Sequence, residues 1–527
     1  MTDIRAVKSM FRTGKSQVAH QAISPDINHR KTVDRLRLWL PFIFGGVEYL
    51  ALLRHGNKLL LDSDVYLHFA VGQWIIDHRA FPHADPFSFT MTGTNWITSA
   101  WLSELLFLAA FRLAGWAGPV TLAALAVGTA FFLLTRLLLR ALPPIPVSIL
   151  VGCAMVVTTS HLHARPHVLV LPVMVLWANA IVEAAEQRRA PSLAYLVLMC
   201  LWANLHGSFT LGLALIPPFA AEALWTADRS ARARLAFQWF RFGVLALGAA
   251  CITPYGPESI LVTFRLFGLG HVLSAIGEWQ PQDFGVFNPF EVSLLAGMAY
   301  ILYSGFKLPP LRIVLLLAVI HQTLAHLRYI DVMAMVAPFF IARPLAQHLS
   351  GRLQQNDLSM TAPTRRWSIA FAVALLGLTS FVGRMVDFSP APSPSAALET
   401  IKEAKSSRIF NDYPFGSYLI YRGIPPFIDS RAELYGAEFI TRYRRAVGLQ
   451  DVSDLLRVLD EYQITATLLT PTTPAVALFD RMEGWERVYA DDIAVVHLYR
   501  GNRDPKISPG RDVRGQATSP PVTSEVR

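Results

Sequence analysis

Charged residues are scarce in this chain. Of its 527 residues, 16% are Asp, Glu, Lys or Arg and 53% are hydrophobic, and the mean hydropathy is +0.37. Soluble domains carry about 25% charged residues. A larger core does not explain the deficit, because long soluble chains split into separate domains instead of enlarging one core. The composition excludes an ordinary soluble protein and predicts a membrane protein whose apolar surface faces lipid.

Cysteine is also scarce, and nucleotide-binding motifs are missing. Cys153, Cys200 and Cys251 lie far apart inside apolar runs, so they provide neither a disulfide framework nor the spacing of metal ligands. We interpret them as small apolar packing residues. The sequence contains no phosphate-binding loop and no dinucleotide fingerprint, so it does not predict a nucleotide cofactor.

The net charge of +9 does not indicate nucleic-acid binding. The basic residues stand in short clusters between apolar runs, as they do in the cytoplasmic loops of membrane proteins. Residues 1–37 are polar and basic and are predicted to form a cytoplasmic N-terminus. No cleavage site of small residues follows the first apolar run, so we expect this run to be retained as a membrane helix.

The apolar runs predict a mainly α, polytopic membrane helix bundle over residues 38–383. A span needs about 20 mostly apolar residues, and tilt or local thinning of the bilayer accommodates shorter ones. The eleven predicted spans are 38–53, 117–139, 145–160, 167–185, 191–204, 208–226, 242–253, 291–305, 311–327, 331–349 and 367–383.

The positions of Lys and Arg predict how the bundle is oriented. The predicted inner loops contain fourteen of these residues and the short outer turns contain three, Arg165, Arg265 and Arg328, which is the expected bias for basic loops inside. Counting residues 101–113 as a span would reverse this assignment. That run is short and is interrupted by Glu104 and Arg112, so we predict an amphipathic helix at the outer interface, within a first outer loop of residues 54–116.

The C-terminal part is predicted to lie outside the cytoplasm, in the periplasm. Residues 384–407 contain Pro390, Pro392 and Pro394 and are predicted to form a stiff linker. Residues 408–500 predict a small α/β domain and residues 501–527 a disordered tail. The predicted elements of the domain are strands at Gly416–Tyr421, Ile464–Leu469 and Ile493–Tyr499 and a helix at Val452–Tyr462.

Unusual polar residues converge from five outer segments under this topology. Ionisable groups near membrane depth are energetically costly and are usually functional, and convergence from distant segments strengthens that interpretation. The residues are Asp62, Asp64, His68, Asp85 and Glu104 in the first outer loop, His161, His163, Arg165 and His167 in the second segment, Asn204 and His206 in the third, Glu278, Trp279 and Asp283 in the fourth, and His326, Arg328 and Tyr329 in the fifth.

Many of these residues also have a purely structural explanation. Asp62 and Asp64 are also explained as solvated acids of the loop or as the N-cap of the helix that begins near Val65. His161 and His163 lack a nearby acid or Cys to complete a metal site, so they are also explained as interfacial residues. The remaining alternatives are anchors at span ends (Arg165, Arg328), a surface position on the amphipathic helix (Glu104) and interhelical hydrogen bonds (Asn204, His206).

The run from Leu61 to Trp101 resembles the first outer loop of the GT-C superfamily, whose multi-spanning members transfer sugars from polyprenyl phosphate. The family pattern is an acid or Asp-x-Asp just after the first span, followed by interfacial helices. Asp62-Ser63-Asp64 and the stretches 65–78 and 101–113 match it. Further runs resemble bacterial groups of this type, both protein-mannosyltransferase-like and uncharacterised: Asp64-x-x-x-His68-x-x-x-Gly72, Asp85-Pro86-Phe87-Ser88, Ala164-Arg165-Pro166-His167, Leu201-Trp202-Ala203-Asn204-Leu205-His206-Gly207, Phe410-Asn411-Asp412-Tyr413 and Phe427-Ile428-Asp429-Ser430-Arg431.

The resemblance implies a multi-pass glycosyltransferase of the cell envelope in the bacterial inner (cytoplasmic) membrane. Its donor would be a polyprenyl-phosphate-linked sugar, and its acceptor a glycan, lipid or protein at the outer face. The acid that activates the acceptor is expected at Asp64, with Asp62 as the second candidate. Arg165 and Arg328 are expected at the donor phosphate, because a guanidinium can bind two phosphate oxygens. The second-choice binding residues are His68, His163, His206 and Glu104.

The resemblance leaves the metal open. Oligosaccharyltransferase-like members use a divalent cation, whereas protein-mannosyltransferase-like members are generally regarded as metal-independent. Asp62 and Asp64 offer two oxygen ligands, and a hard cation takes about six. No cofactor is therefore assigned, and a divalent cation stays an alternative.

Two alternatives from another functional class have the same composition: a non-catalytic scaffold for envelope-glycan assembly, and a lipid or glycan transporter of similar fold. Transporters often contain internal repeats. The two halves of this chain show no such repeat, which disfavours transport but leaves the scaffold open.

The orientation can be tested with reporter fusions. We predict that a reporter fused after residue 400 is active outside the cytoplasm and that one fused near Arg232 is active inside, because the basic loops remain on the cytoplasmic side. Paired phosphatase and fluorescent-protein fusions at both positions measure this. A cytoplasmic reporter after residue 400 would contradict the predicted convergence at the outer face.

Overall fold

The structure, a computed structural model, describes residues 27–159, 161–275, 277–350 and 365–501. These residues form a mainly helical protein with one small β-sheet, as the sequence predicts. Most of the predicted basic N-terminus (1–26) and nearly all of the predicted tail (502–527) lie outside the described residues.

The N-terminal part consists of helices, most of them apolar. Proline stands in the first turn of several of them, where its missing N–H removes no intrahelical hydrogen bond. The helices are α1 (Ile27–Arg54), α2 (Gly56–Leu59), α3 (Asp64–His78), α4 (Trp101–Ala114), α5 (Ala117–Leu138), α6 (Pro144–Thr158), α7 (Pro166–Leu169), α8 (Leu171–Glu186), α9 (Leu196–Leu205), α10 (Phe209–Ala214), α11 (Ile216–Thr226), α12 (Arg229–Ala250), α13 (Glu258–Phe267), α14 (Pro289–Ser304), α15 (Pro310–Ala325), α16 (Ile330–Ser350) and α17 (Arg365–Met385).

Each of the eleven predicted spans coincides with one helix or with two consecutive helices. Within the described residues, four helical segments are long and apolar enough to cross a membrane: Arg35–Arg54, Ala117–Leu138, Phe209–Thr226 and Leu327–Ser350. Shorter apolar helices lie at Pro144–Thr158, Leu193–Leu205, Pro310–Ala325 and Val373–Gly383. These helices indicate a membrane protein, and the number of eleven spans stays a prediction.

Helices α3 and α4 pack against each other, and both match helices predicted from the sequence. A Cβ atom on Gly72 of α3 would lie 2.9 Å from the carbonyl oxygen of Glu104 on α4, so the close approach requires glycine. The same packing brings the Nδ1 atom of His68 to 3.5 Å from Oε1 of Glu104. The helix pair therefore positions two of the predicted site residues.

The C-terminal part contains a four-stranded sheet with the order β1-β2-β4-β3. Strand β1 is parallel to β2, and the other neighbours are antiparallel. Two predicted strands contain β2 and β4, and the predicted helix at 452–462 contains α21. The elements are α18 (Ser395–Glu403), β1 (Ile409–Asn411), α19 (Gly416–Tyr421), α20 (Ala432–Val447), α21 (Val452–Glu461), β2 (Ala466–Leu469), α22 (Ala475–Phe479), β3 (Trp485–Ala490) and β4 (Val495–Tyr499).

Two sequence predictions in this part are wrong. Residues 416–421, predicted as a strand, form helix α19, which packs against α3. Gly416–Ile420 are all buried, and a short apolar run that is buried on every side does not distinguish a strand from a helix. Residues 395–403, predicted as part of the linker, form helix α18, whose buried Leu398 and Ile401 face the sheet.

A buried ion cluster joins the loop before α4 to the C-terminal part. Arg431 donates to Asp85 at 2.6 Å and to both carboxylate oxygens of Asp429 at 2.8 and 2.7 Å. Its guanidinium carbon lies 4.7 Å from the ring centre of Trp96. All three charged side chains are 3% exposed or less. Since each charge is paired, the cluster fixes the two chain segments relative to each other.

We predict that Arg431→Met strongly destabilises the protein. The substitution leaves two buried carboxylates without their cation, and removing one partner of a buried pair typically costs about 3–5 kcal/mol. Thermal unfolding of the detergent-solubilised protein, followed by tryptophan fluorescence, measures the change. The matched control is Arg422→Met, because Arg422 pairs with exposed Glu399 and such pairs contribute little. Equal unfolding temperatures for the two variants would contradict the structural role of Arg431.

Candidate functional site

Asp62 and Asp64 lie at the beginning of α3, where the chain leaves α2. Oδ1 of Asp62 accepts a hydrogen bond from the backbone N–H of Asp64 at 2.9 Å. Ser63 occupies the N-cap position and makes no side-chain cap bond. Asp62 therefore binds the local backbone, whereas the carboxylate of Asp64 makes no cap bond. The alternative in which Asp64 caps the helix is wrong.

Arg165 connects these two acids to a third. It precedes Pro166 in extended conformation, and this places its guanidinium against Asp62, against Asp64 with an Nη2–Oδ2 distance of 2.7 Å, and against Glu278. Both terminal nitrogens thus contact carboxylates. The buried Nε atom has no hydrogen-bond partner among the described residues.

Glu278 links Arg165 to Arg328. Arg328 donates to Oε1 of Glu278 at 3.1 Å, and its guanidinium carbon lies 4.3 Å from the ring centre of Trp279. Glu278 lies in the 3-10 turn Gly277–Trp279 and Arg328 in the 3-10 turn Leu327–Tyr329. The backbone N–H of Leu327 donates to the carbonyl of Gln280, the residue after the first turn, at 2.9 Å. The sequence places Glu278 in an outer segment but gives it no role in the site. Its place among the polar residues of an outer segment is the signal that the sequence carries.

The ion pairs give the three acids different pKa values. Burial raises the pKa of Asp64, and the neighbouring charge of Asp62 raises it further, against the effect of Arg165. Burial also opposes ionisation of Asp62, but Arg165 and the backbone bond outweigh it and lower its pKa. Burial works against ionised Glu278 as well, yet Arg328 and Arg165 lower its pKa to about 2. Asp64 is therefore the acid of this group that takes up a proton most readily.

The histidines named from the sequence lie around this centre. Burial lowers the pKa of His163, with a further lowering by Arg165 that Asp62 and Glu278 oppose. Burial and the charge of Arg328 lower the pKa of His206 to about 3. Both histidines are therefore neutral near pH 7. His206 also shares a 2.9 Å hydrogen bond with the hydroxyl of Ser208 through Nδ1.

The contacts of Glu104 and Asn204 decide the structural alternatives for these two residues. Glu104 is 4% exposed and accepts a 2.8 Å hydrogen bond from Thr98, so the interpretation of Glu104 as a surface residue is wrong. Asn204 donates to the carbonyls of Cys200 and Ile252, both at 2.8 Å, and accepts from Trp101 at 2.9 Å. Its interhelical hydrogen-bonding role is confirmed.

The C-terminal part contributes to the site, which the sequence did not predict. Ser417 at the start of α19 donates to Oδ1 of Asp64 at 3.1 Å, and its hydroxyl lies 3.2 Å from that of Ser430. The hydroxyl of Tyr413 is buried without a hydrogen-bond partner among the described residues, and burial together with the charge of Asp64 raises its pKa well above the ordinary value. Tyr413 and Ser430 stand in two of the runs singled out in the sequence, whereas Ser417 lies between those runs.

The arrangement combines a carboxylate suited to accepting a proton with two guanidiniums near one end of a helix bundle. In the described part of the chain, no three or more His, Cys, Asp or Glu side chains are grouped so that they could hold a metal ion. Asp62, Asp64 and Glu278 converge instead on a guanidinium. The site can therefore accept a proton at Asp64 and interact with an anion at Arg328.

Comparisons with known proteins support the fold. No protein-family model matches the chain, and no curated protein matches it. A solved structure that it resembles is the archaeal oligosaccharyltransferase AglB from Archaeoglobus fulgidus in complex with an inhibitory peptide and a dolichol-phosphate, with a TM-score of 0.50 and 13% sequence identity. The match covers 82% of this chain and 69% of that one. The described part of this chain is thus similar in fold to that oligosaccharyltransferase.

Proposed function

We propose that this chain is a membrane glycosyltransferase that moves a sugar from a polyprenyl-phosphate-linked donor to an acceptor at the outer face of a bacterial inner membrane. The likeness to AglB, solved with a dolichol-phosphate and a peptide, supports a lipid-linked donor. The observation that carries the proposal is Asp64, a carboxylate with a raised pKa in the same ion-pair network as Arg328. The proposal includes the predicted eleven spans, the periplasmic C-terminal domain and the cytoplasmic N-terminus.

The reaction needs one proton acceptor and one site for negative charge. The acceptor hydroxyl attacks the anomeric carbon, and its proton passes to the carboxylate of Asp64 as the new carbon–oxygen bond forms. The bond between the anomeric carbon and the phosphate oxygen breaks, and the leaving polyprenyl phosphate keeps the electron pair. A guanidinium stabilises that charge.

Arg328 is better suited than Arg165 to bind the leaving phosphate. Both terminal nitrogens of Arg165 are directed at carboxylates. Among the described residues, Arg328 forms an ion pair with one acid, Glu278, and its side chain is 25% exposed. We therefore assign the donor phosphate to Arg328. His68, His163, His206 and Glu104 surround the centre and shape it for sugar and acceptor.

Asp64→Asn should leave the protein folded and inserted but nearly abolish sugar transfer. The amide cannot take the proton, and a general base contributes about 100- to 10,000-fold in rate. For the wild type, transfer should fall on acidification at a pH above the ordinary pKa of an Asp, because Asp64 must be ionised to act. The measurement is transfer from a panel of lipid-linked sugars by reconstituted protein.

Two controls accompany this variant. Asp77→Asn changes an exposed acid on the same helix and should keep full activity, and Asp62→Asn should have a smaller effect than Asp64→Asn. Wild-type rates in Asp64→Asn would remove Asp64 from the chemistry. Absence of transfer by the wild type with every donor would contradict the proposed activity and favour the scaffold alternative.

Arg328→Ala should weaken the binding of polyprenyl phosphate. Loss of a hydrogen bond to a charged group costs about 1.5–3 kcal/mol, or roughly 10- to 100-fold in affinity. Arg328→Lys should restore binding only in part, since an ammonium lacks the planar fork. Quenching of tryptophan fluorescence by a short-chain polyprenyl phosphate measures binding. The control is Arg265→Ala, because Arg265 forms an exposed ion pair with Glu258. Equal affinities of the two Ala variants for polyprenyl phosphate would exclude Arg328 from the phosphate site.

A further inference from the structure

The contacts of Arg165 determine whether a divalent metal ion fits at this centre. Three carboxylates, from Asp62, Asp64 and Glu278, contact one guanidinium. Asp64 is the first residue of α3 and Asp62 lies two residues before it, whereas Glu278 stands more than 200 residues later in the 3-10 turn Gly277–Trp279. Carboxylate oxygens converging from separate segments are the usual ligands of a hard divalent cation.

The residues present do not fit such a cation. The carboxylate oxygens that would bind it are already in contact with the terminal nitrogens of Arg165. A divalent ion bound there would lie beside a positive charge in a partly buried site, where like charges a few ångströms apart repel strongly.

We infer that Arg165 is a built-in cation that takes the place of a divalent metal in this centre. Its single charge compensates in part for three carboxylates, and Arg328 supplies a second positive charge through Glu278. Arg165 is thus a positioning residue: it holds Asp64 and Asp62 in place and does not itself bind the donor. The wild-type centre therefore binds no divalent cation. If the proposed function holds, sugar transfer runs without such a cation.

Removal of the guanidinium of Arg165 should convert the centre into a cation site. Without the guanidinium, Asp62, Asp64 and Glu278 remain as three acids around an emptied position. The variants Arg165→Ala and Arg165→Gln should therefore gain a cation site that the wild type lacks. Removing one adjacent unit charge should tighten divalent-cation binding by roughly 100-fold or more. Arg165→Lys keeps the charge and should gain no site.

The experiment is a titration of purified protein with Mn²⁺, in which the electron paramagnetic resonance signal of free Mn²⁺ measures the amount bound. We expect no saturable binding by the wild type or Arg165→Lys, and one bound ion in Arg165→Ala or Arg165→Gln. Adding Glu278→Gln to either neutral variant should remove the gained site. Circular dichroism and size-exclusion profiles identify the variants that are folded.

Two results of the titration would overturn the inference. The first is saturable Mn²⁺ binding by the wild type that is lost in Glu278→Gln, which needs no Arg165 variant to fold. The second is a folded neutral variant that binds no Mn²⁺. If no lipid-linked sugar is transferred by the wild type, the proposed function fails, yet the titration still decides the role of Arg165. If transfer is found, undiminished rates in excess EDTA support the inference, and loss of transfer that Mn²⁺ or Mg²⁺ restores overturns it.

Discussion

The contacts of Arg165 with Asp62, Asp64 and Glu278 are the interaction on which the geometry of the candidate site depends. Partly buried carboxylates repel one another and are costly to ionise, so these three acids need a shared cation in order to stand together. Arg165 provides it from the extended residue before α7. Glu278 then carries the link on to Arg328, whose guanidinium rests on Trp279. The guanidinium of Arg165 therefore links the beginning of α3 to the turn at Glu278 in one charge network.

A second set of contacts makes the C-terminal part a component of this site. The Asp85–Arg431–Asp429 cluster is buried and fully paired, and it fixes the loop between α3 and α4 against the segment before α20. That arrangement brings Ser417 to Asp64 and leaves the hydroxyl of Tyr413 buried in the same region. A sugar acceptor that approaches Asp64 would thus meet side chains from both parts of the chain.

The sequence predicted those features that depend on local patterns. Long apolar runs specify helices whatever their neighbours, so every predicted span coincides with a helix. The strand prediction for residues 416–421 is wrong for a physical reason. A short, fully buried apolar run has the same sequence pattern in a strand and in a helix, and packing against α3 decides between the two. The same limit applies to the site. The sequence grouped Asp64, Arg165 and Arg328 at one face of the membrane. It did not predict that Arg165 pairs with carboxylates or that Glu278 and Ser417 contact this centre, because these contacts depend on long-range packing that a motif does not contain.

The most direct test of the central claim is the position of a bound donor in an experimental density map of the wild-type protein with a short-chain polyprenyl-phosphate sugar. The account predicts phosphate density within hydrogen-bonding distance of Arg328 and beside Trp279, with the anomeric carbon directed towards Asp64 and with Arg165 still paired to its three carboxylates. A donor bound elsewhere on the helix bundle, with Arg328 contacting only Glu278, would contradict the account.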